Sequence, residues 1–268
     1  MKRILFCLVA MTLSQPAMAQ LWIDFNSTSQ DNGPHPQAGY QSYDAGHEVT
    51  ADFVSMSYDA FGTSVSVTPA WPNTTDNRVQ QMIDRGGNND AQWLGDDLDL
   101  LTDFLGIDSR TGNGGNGDWL RDGASDPTYM TLALGGLPAG SYNWKSFHHD
   151  TENVWADFQV ELSTDGGVSY AHLGDYEMSS SSTGGNPVND GRITEGMVST
   201  VDTTFDANGS DDVVFRFAPY ADGVDASAVH KQIFGINGAQ ISVVPEPGAA
   251  ILAIPALLLL MGISRRRK

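Results

Sequence analysis

Apolar residues recur at every second position through the middle of this chain, and that period decides what it can fold into. Ala156, Phe158, Val160 and Leu162 alternate with Asp157, Gln159, Glu161 and Ser163. Only an extended strand sends successive side chains to opposite faces, so this stretch has one buried face and one wet face. Upstream, Met130, Leu132 and Leu134 alternate with Tyr129, Thr131 and Ala133. The run Gly135-Gly136-Leu137-Pro138-Ala139-Gly140 makes a turn, and Ser141 to Asp150 follows as a strand with Tyr142 and Trp144 on one face. Thr164-Asp165-Gly166-Gly167 is the next turn.

The same reading predicts strands at Leu21 to Phe25, Phe53 to Tyr58, Ser64 to Thr68, around Val213, Phe215 and Phe217, and from Ile233 to Val243. Asn26 to Glu48 and Leu173 to Val198 are polar and turn-rich and read as loops. Helical spacing occurs twice. After Asp76, Val79, Met82 and Ile83 share a helical face. After Asp96-Asp97, Leu98, Leu101 and Leu105 do so, with Asp99 and Asp103 facing out and Gly106 as the stop. Short strands with few helices predict an all-β, two-sheet sandwich of jelly-roll type carrying one or two short helices.

The two ends follow other rules. Met1 to Ala19 has Lys2 and Arg3, an apolar core from Ile4 to Leu13, and Ala17-Met18-Ala19 before Gln20, the layout of a secretory signal peptide. The single cysteine, Cys7, lies within it, so the exported portion has no thiol chemistry. At the other end stand Val244, Pro245, Glu246, Pro247 and Gly248, then an apolar run from Ala249 to Ile263, then Arg265, Arg266, Arg267 and Lys268. The prolines hold the first part extended. The apolar run is near the length of a membrane-spanning helix, and the cations hold its end on the cytoplasmic side. The domains are therefore 1–19 signal peptide, 20–243 ectodomain and 244–268 tail.

This tail resembles the PEP-CTERM sorting signal in its three parts and their order. The resemblance implies recognition by an exosortase, an intramembrane transpeptidase, at Val244 to Pro247. It also implies membrane anchoring before processing and delivery to the envelope, cell surface or extracellular matrix afterwards. A plain C-terminal anchor is the alternative. Within the ectodomain, the Leu134 to Tyr142 turn, the His148-His149-Asp150 strand end and the Asp-Gly-Gly turn look like galactose-binding-like jelly rolls. So do Ile83-Asp84-Arg85 and Leu101-Thr102-Asp103-Phe104.

Charge narrows the partners. Of 33 acidic residues only Glu246 lies in the tail, and six of 14 basic residues lie at the two ends. The ectodomain thus holds 8 cations against 32 anions, a net −24. Such a field repels nucleic acid and anionic membranes and suits cations or neutral sugars. Among the acids, 27 are Asp and 6 Glu, which favours turns over helices.

His148 and Asp150 share a strand face and offer a metal ligand pair or a grip on a sugar hydroxyl; a strand-end hydrogen bond that orders the loop before Trp155 is the simpler reading. Trp119, Trp144 and Trp155, with Tyr129 and Tyr142, are candidates for stacking on a pyranose, and Trp119 has the most polar surroundings. Core packing is the competing role, above all for Trp144. The ligand-binding candidates are therefore Trp119, His148, Asp150 and Trp155. Asn88-Asn89-Asp90 and the run 222–225 offer oxygen ligands for a structural Ca²⁺, although no complete EF-hand pattern occurs, and solvated turns are the default. Paired acids such as Asp96-Asp97 and Asp211-Asp212 arise by composition alone, and no nucleophile-elbow, zinc-protease or phosphate-loop motif is present. The expectation is a non-catalytic surface or matrix protein with a structural or glycan-binding role, its partners the exosortase and exopolysaccharide. A surface hydrolase of polysaccharides or esters is the alternative.

Overall fold

A computed structural model describes residues 19–27, 36–46, 53–72, 80–84, 98–108, 129–150, 157–180, 198–220 and 233–245. Of the stretch read as a signal peptide, residues 1–18 lie outside the described residues, as do the apolar run and basic end of the sequence read as a sorting tail, Glu246, Pro247, Trp119 and Trp155. Among the described residues no helix is long and apolar enough to cross a membrane.

Two six-stranded sheets carry the domain. The first contains β1 (Gln20–Asn26), β2 (Gln41–Asp44), β8 (Gly140–Asp150), β11 (Ser179–Ser180), β12 (Ser199–Ala207) and β15 (Gly238–Val243). Its order is β11-β8-β15-β1-β2, with β12 also on β8. The second runs β10-β9-β13-β7-β4-β3, built from β3 (Met56–Ala60), β4 (Thr63–Ala70), β7 (Met130–Gly135), β9 (Asp157–Ser163), β10 (Ala171–Glu177) and β13 (Val213–Tyr220). A third sheet, β14-β6-β5, joins Ile233–Ile236, Asp103–Asp108 and Gln80–Asp84. Among the described residues one five-residue helix, α1 (Leu98–Thr102), precedes β6.

The alternating residues meet between the two large sheets. Met130, Leu132, Leu134, Phe158, Val160, Val213, Phe215 and Phe217 are buried there against Leu21, Ile23, Tyr142, Trp144 and Ile241. Trp144 stacks on Phe215 at 4.1 Å between centroids and Tyr142 on Phe205 at 5.5 Å. Such pairs add about 0.5–1.5 kcal/mol each beyond the area they bury. The β3–β4 hairpin turns on Phe61 (φ 53) and Gly62 (φ 78), the two positive-φ positions of a tight two-residue turn. A phenylalanine resists that backbone region, and its ring is instead held edge-on against Tyr142 at 5.2 Å.

Several local expectations give way to tertiary packing. Gln80–Asp84 is a strand rather than a helix, with Met82 buried in the core. The helix of Leu98 and Leu101 ends at Thr102, and Leu105 lies in β6. Asp103, expected to face solvent, is buried and accepts the Ser27 backbone N–H at 3.1 Å. Gln41–Asp44 is a strand inside a segment read as loop, and the strand Ala171–Glu177 runs into another, from Leu173 onward. Ile233 to Val243 is two strands in different sheets, divided at Asn237.

Gly106 is no helix stop. It pairs with Gly235 across β6–β14, and a Cβ added to it would stand 1.9 Å from the Phe234 carbonyl oxygen. Trp71 Nε1 donates to the Gly106 carbonyl at 3.1 Å. Because backbone cannot step aside as a side chain can, Gly106→Ala is expected to cost about 2–3 kcal/mol, read as a lower denaturation midpoint. An unchanged midpoint would disprove this close approach.

The two ends of the domain meet. Val243 N–H donates to the Ala19 carbonyl at 3.2 Å, and Val244 N–H to the Ser141 carbonyl at 2.9 Å. Ala19 and Val244 therefore lie close together at one end of the first sheet.

Candidate functional site

His148, His149 and Asp150 end β8, and all three are buried. The His148 ring lies among Phe158, Phe217 and Phe234, with centroids 4.6, 5.7 and 5.6 Å away. Its Nδ1 is 2.8 Å from the Gly235 carbonyl oxygen, which can only accept, so Nδ1 carries the proton. Nε2 then accepts from Ser146 Oγ at 2.9 Å, and Ser146 Oγ accepts from Trp144 Nε1 at 3.1 Å. This directed chain holds the ring neutral. Burial drives the His148 pKa down to about 3, against a smaller opposing pull from the Gly235 hydrogen bond.

His149 behaves alike. Ser179 Oγ donates to the His148 carbonyl at 3.0 Å and accepts from Ser199 N–H at 2.9 Å, so His149 Nδ1 donates to it at 2.8 Å. Burial lowers the His149 pKa to about 4. The cluster is a structural brace closed to solvent. His148 and Asp150 are not placed where a dissolved glycan would touch them.

An open site lies on the outer face of the first sheet. The ladders β1–β15, β15–β8 and β8–β12 align two transverse rows. One row is Trp22, Gln240, Lys145 and Asp202; the next is Gln20, Ser242, Asn143 and Thr204. Trp22, Asn143, Lys145, Asp202, Thr204, Gln240 and Ser242 line a groove of about 650 Å³. Tyr40 packs on Trp22 at 5.4 Å, and Gln240 Nε2 donates to the Tyr40 hydroxyl. Lys145 Nζ lies 5.5 Å from the Phe147 ring centroid. Thr200 Oγ1 donates to Asp202 Oδ2 at 2.8 Å.

A wall closes one side of this groove. The third row is Asp24, Gly238, Phe147 and Thr200, and the helix α1 sits over it. Leu100 fills the space a side chain at Gly238 would need, its Cδ1 2.6 Å from where that Cβ would stand. Leu100 and Leu101 pack with Tyr40 and Phe147. Beneath them Asp24 is fully buried, and burial raises its pKa to about 7. Its Oδ2 accepts from Gln37 N–H at 2.6 Å, while among the described residues Oδ1 finds no partner.

None of the groove residues was among those expected to bind, although one local signal marks Trp22. In Leu21-Trp22-Ile23-Asp24-Phe25 the tryptophan is out of phase with the core residues, and period two alone puts it on the wet face. Of the aromatic residues weighed for stacking, Trp144 is core, as its strand neighbours suggested, Tyr142 is core as well, and Tyr129 lies 5.3 Å from the guanidinium of Arg216, which pairs with Glu161. Both calcium candidates lie outside the described residues. Among the described residues no three metal-ligating side chains converge.

No protein-family model and no curated protein matches the chain. Solved structures are distantly similar in shape. The family 35 carbohydrate-binding module of Clostridium thermocellum aligns at 8% identity over 71% of this chain and 99% of its own, with a TM-score of 0.31. The CBM22-1 xylan-binding domain of Paenibacillus barcinonensis Xyn10C aligns at 8% identity over 75% and 93%, at 0.31. The K2 cleaved adhesin domain of Lys-gingipain aligns at 12% over 66% and 89%, at 0.33. Likeness this distant does not transfer a function.

Proposed function

We propose that this is an exported, non-catalytic protein with a jelly-roll sandwich that binds glycan at the cell surface or in the extracellular matrix. Delivery falls to an exosortase acting on the Val244 to Pro247 motif while the apolar run holds the chain in the membrane. One observation carries the binding role: a partly exposed Trp22, backed by Tyr40, set among amide, hydroxyl, ammonium and carboxylate groups on an open sheet face. A pyranose has a C–H face that lies flat on an indole and a rim of hydroxyls that needs such partners.

The test has two arms. Pro245→Ala with Glu246→Ala should leave the protein unprocessed and undelivered; normal processing would sink the sorting role. The purified full-length protein should bind saturably to at least one member of a glycan panel containing the host's own exopolysaccharide. Silence across the whole panel would sink the binding role.

A further inference from the structure

We propose that the groove takes a neutral, linear polysaccharide laid across the strands from Trp22 to Asp202, and that it rejects acidic glycans. This rests on the glycan-binding reading above and narrows it to one ligand class and one direction.

The direction follows from the wall. Along the strands, Leu100 and Phe147 block the groove at the third row. Across the strands the path from Trp22 through Gln240 and Lys145 to Asp202 is continuous. It spans three inter-strand spacings, about 14 Å, the length of about three pyranose rings. Trp22 stands at one end as the stacking surface, and polar groups line the rest.

The ligand class follows from charge. Lys145 and Arg216 are the only Lys or Arg among the described residues, and Arg216 is paired with Glu161. Lys145 stands opposite Asp202 on the β8–β12 ladder, yet among the described residues no ion pair joins them. An unclosed ammonium–carboxylate pair suits a hydroxyl, which accepts from the one and donates to the other. A uronate would gain Lys145 but meet Asp202 at the same register and a domain carrying net −24. Like charge beside the contact selects against that ligand.

The experiment is calorimetric titration of the full-length protein with cellohexaose, laminarihexaose and mannohexaose, and with hexagalacturonate as the acidic probe, at low and high salt. The expected result is saturable binding of a neutral hexasaccharide that changes little with salt. Affinity should fall about tenfold or more in Trp22→Ala and in Lys145→Met, each with an unchanged melting curve. Hexagalacturonate binding that weakens steeply with salt and disappears in Lys145→Met would overturn the neutral class and leave glycan binding standing. Neutral binding indifferent to both substitutions would overturn the groove as its site. Binding of none of the probes, nor of the host exopolysaccharide, would overturn this inference together with the reading it rests on.

Discussion

Asn237→Ala is expected to destabilise the domain by about 4–6 kcal/mol, a large part of the 5–15 kcal/mol that holds a typical domain folded. Asn237 is fully buried at the break between β14 and β15. Its Oδ1 accepts the His149 backbone N–H at 2.6 Å. Its Nδ2 faces the carbonyls of Asp103 at 2.8 Å, His149 at 3.0 Å and Leu101 at 3.2 Å. Its backbone takes part as well, donating to the Phe147 carbonyl and accepting from Phe25 N–H, both at 2.9 Å. The side-chain amide thus binds α1, β6 and the end of β8, and the backbone the end of β1, to the place where the chain changes sheets. Truncation strands a buried N–H and removes the donor from three carbonyls, and each unsatisfied buried group costs about 1–3 kcal/mol.

A control separates hydrogen bonding from volume. Asn237→Asp keeps the shape but turns a carboxylate oxygen toward three carbonyl oxygens, so it should be at least as damaging as alanine. Urea denaturation of the three proteins decides the matter. If Asn237→Asp is as stable as the parent at neutral pH, the amide is not the junction described.

Residues whose partners are adjacent on the chain were legible, and residues whose partners are remote were not. Phe158, Val160 and Leu162 announce their strand because period two is a local property. The Thr164 to Gly167 turn is likewise local: Asp165 accepts from Ser163 Oγ at 2.6 Å and from Ser169 N–H at 2.9 Å, which holds its carboxyl well below the usual range. Asn237 reaches carbonyls 134 and 136 positions away, so nothing beside it in the chain marks a strand break. Leu105 satisfies a helical spacing with Leu98 and Leu101, yet it pairs with Met82 and Ile236 in a sheet assembled from three distant segments. Tertiary packing overrode a weak local preference there. The His148-His149-Asp150 cluster drew attention for its chemistry, while its burial depends on β11, β14 and Phe158, none of them next to it in the chain. Trp22 was the opposite case: it was not among the expected binding residues, although its outward phase is a local property of its own strand.

Acid should weaken the domain well before its ordinary carboxylates titrate, and among the described residues three buried groups set the slope. His148 and His149 have folded pKa values of about 3 and 4, below the unfolded 6.5. Below pH 6.5 the unfolded chain takes up protons that the folded state refuses. The stability these rings contribute is therefore present above 6.5 and lost as pH falls toward 4 and then 3. Asp24 has the opposite sign. Burial raises its pKa from 3.8 to about 7, so the folded state keeps a proton that the unfolded chain releases. Its contribution is complete below 3.8 and lost as pH rises through 7. Between pH 6.5 and 4 two histidines oppose one aspartate, for a net loss of about 1.4 kcal/mol per pH unit, or roughly 3 kcal/mol across the window. Asp165 is depressed and acts only below 3.8, outside this range. Asp24→Asn removes the opposing group, so the slope should approximately double, and the variant's stability relative to the parent should rise from pH 4 to about 7 and level off above it. Urea denaturation of parent and variant at half-unit steps from pH 4 to 8 reads both effects. A parent profile that is flat or rising on acidification would mean the two rings are not held neutral, and parallel profiles would mean Asp24 does not keep its proton when folded.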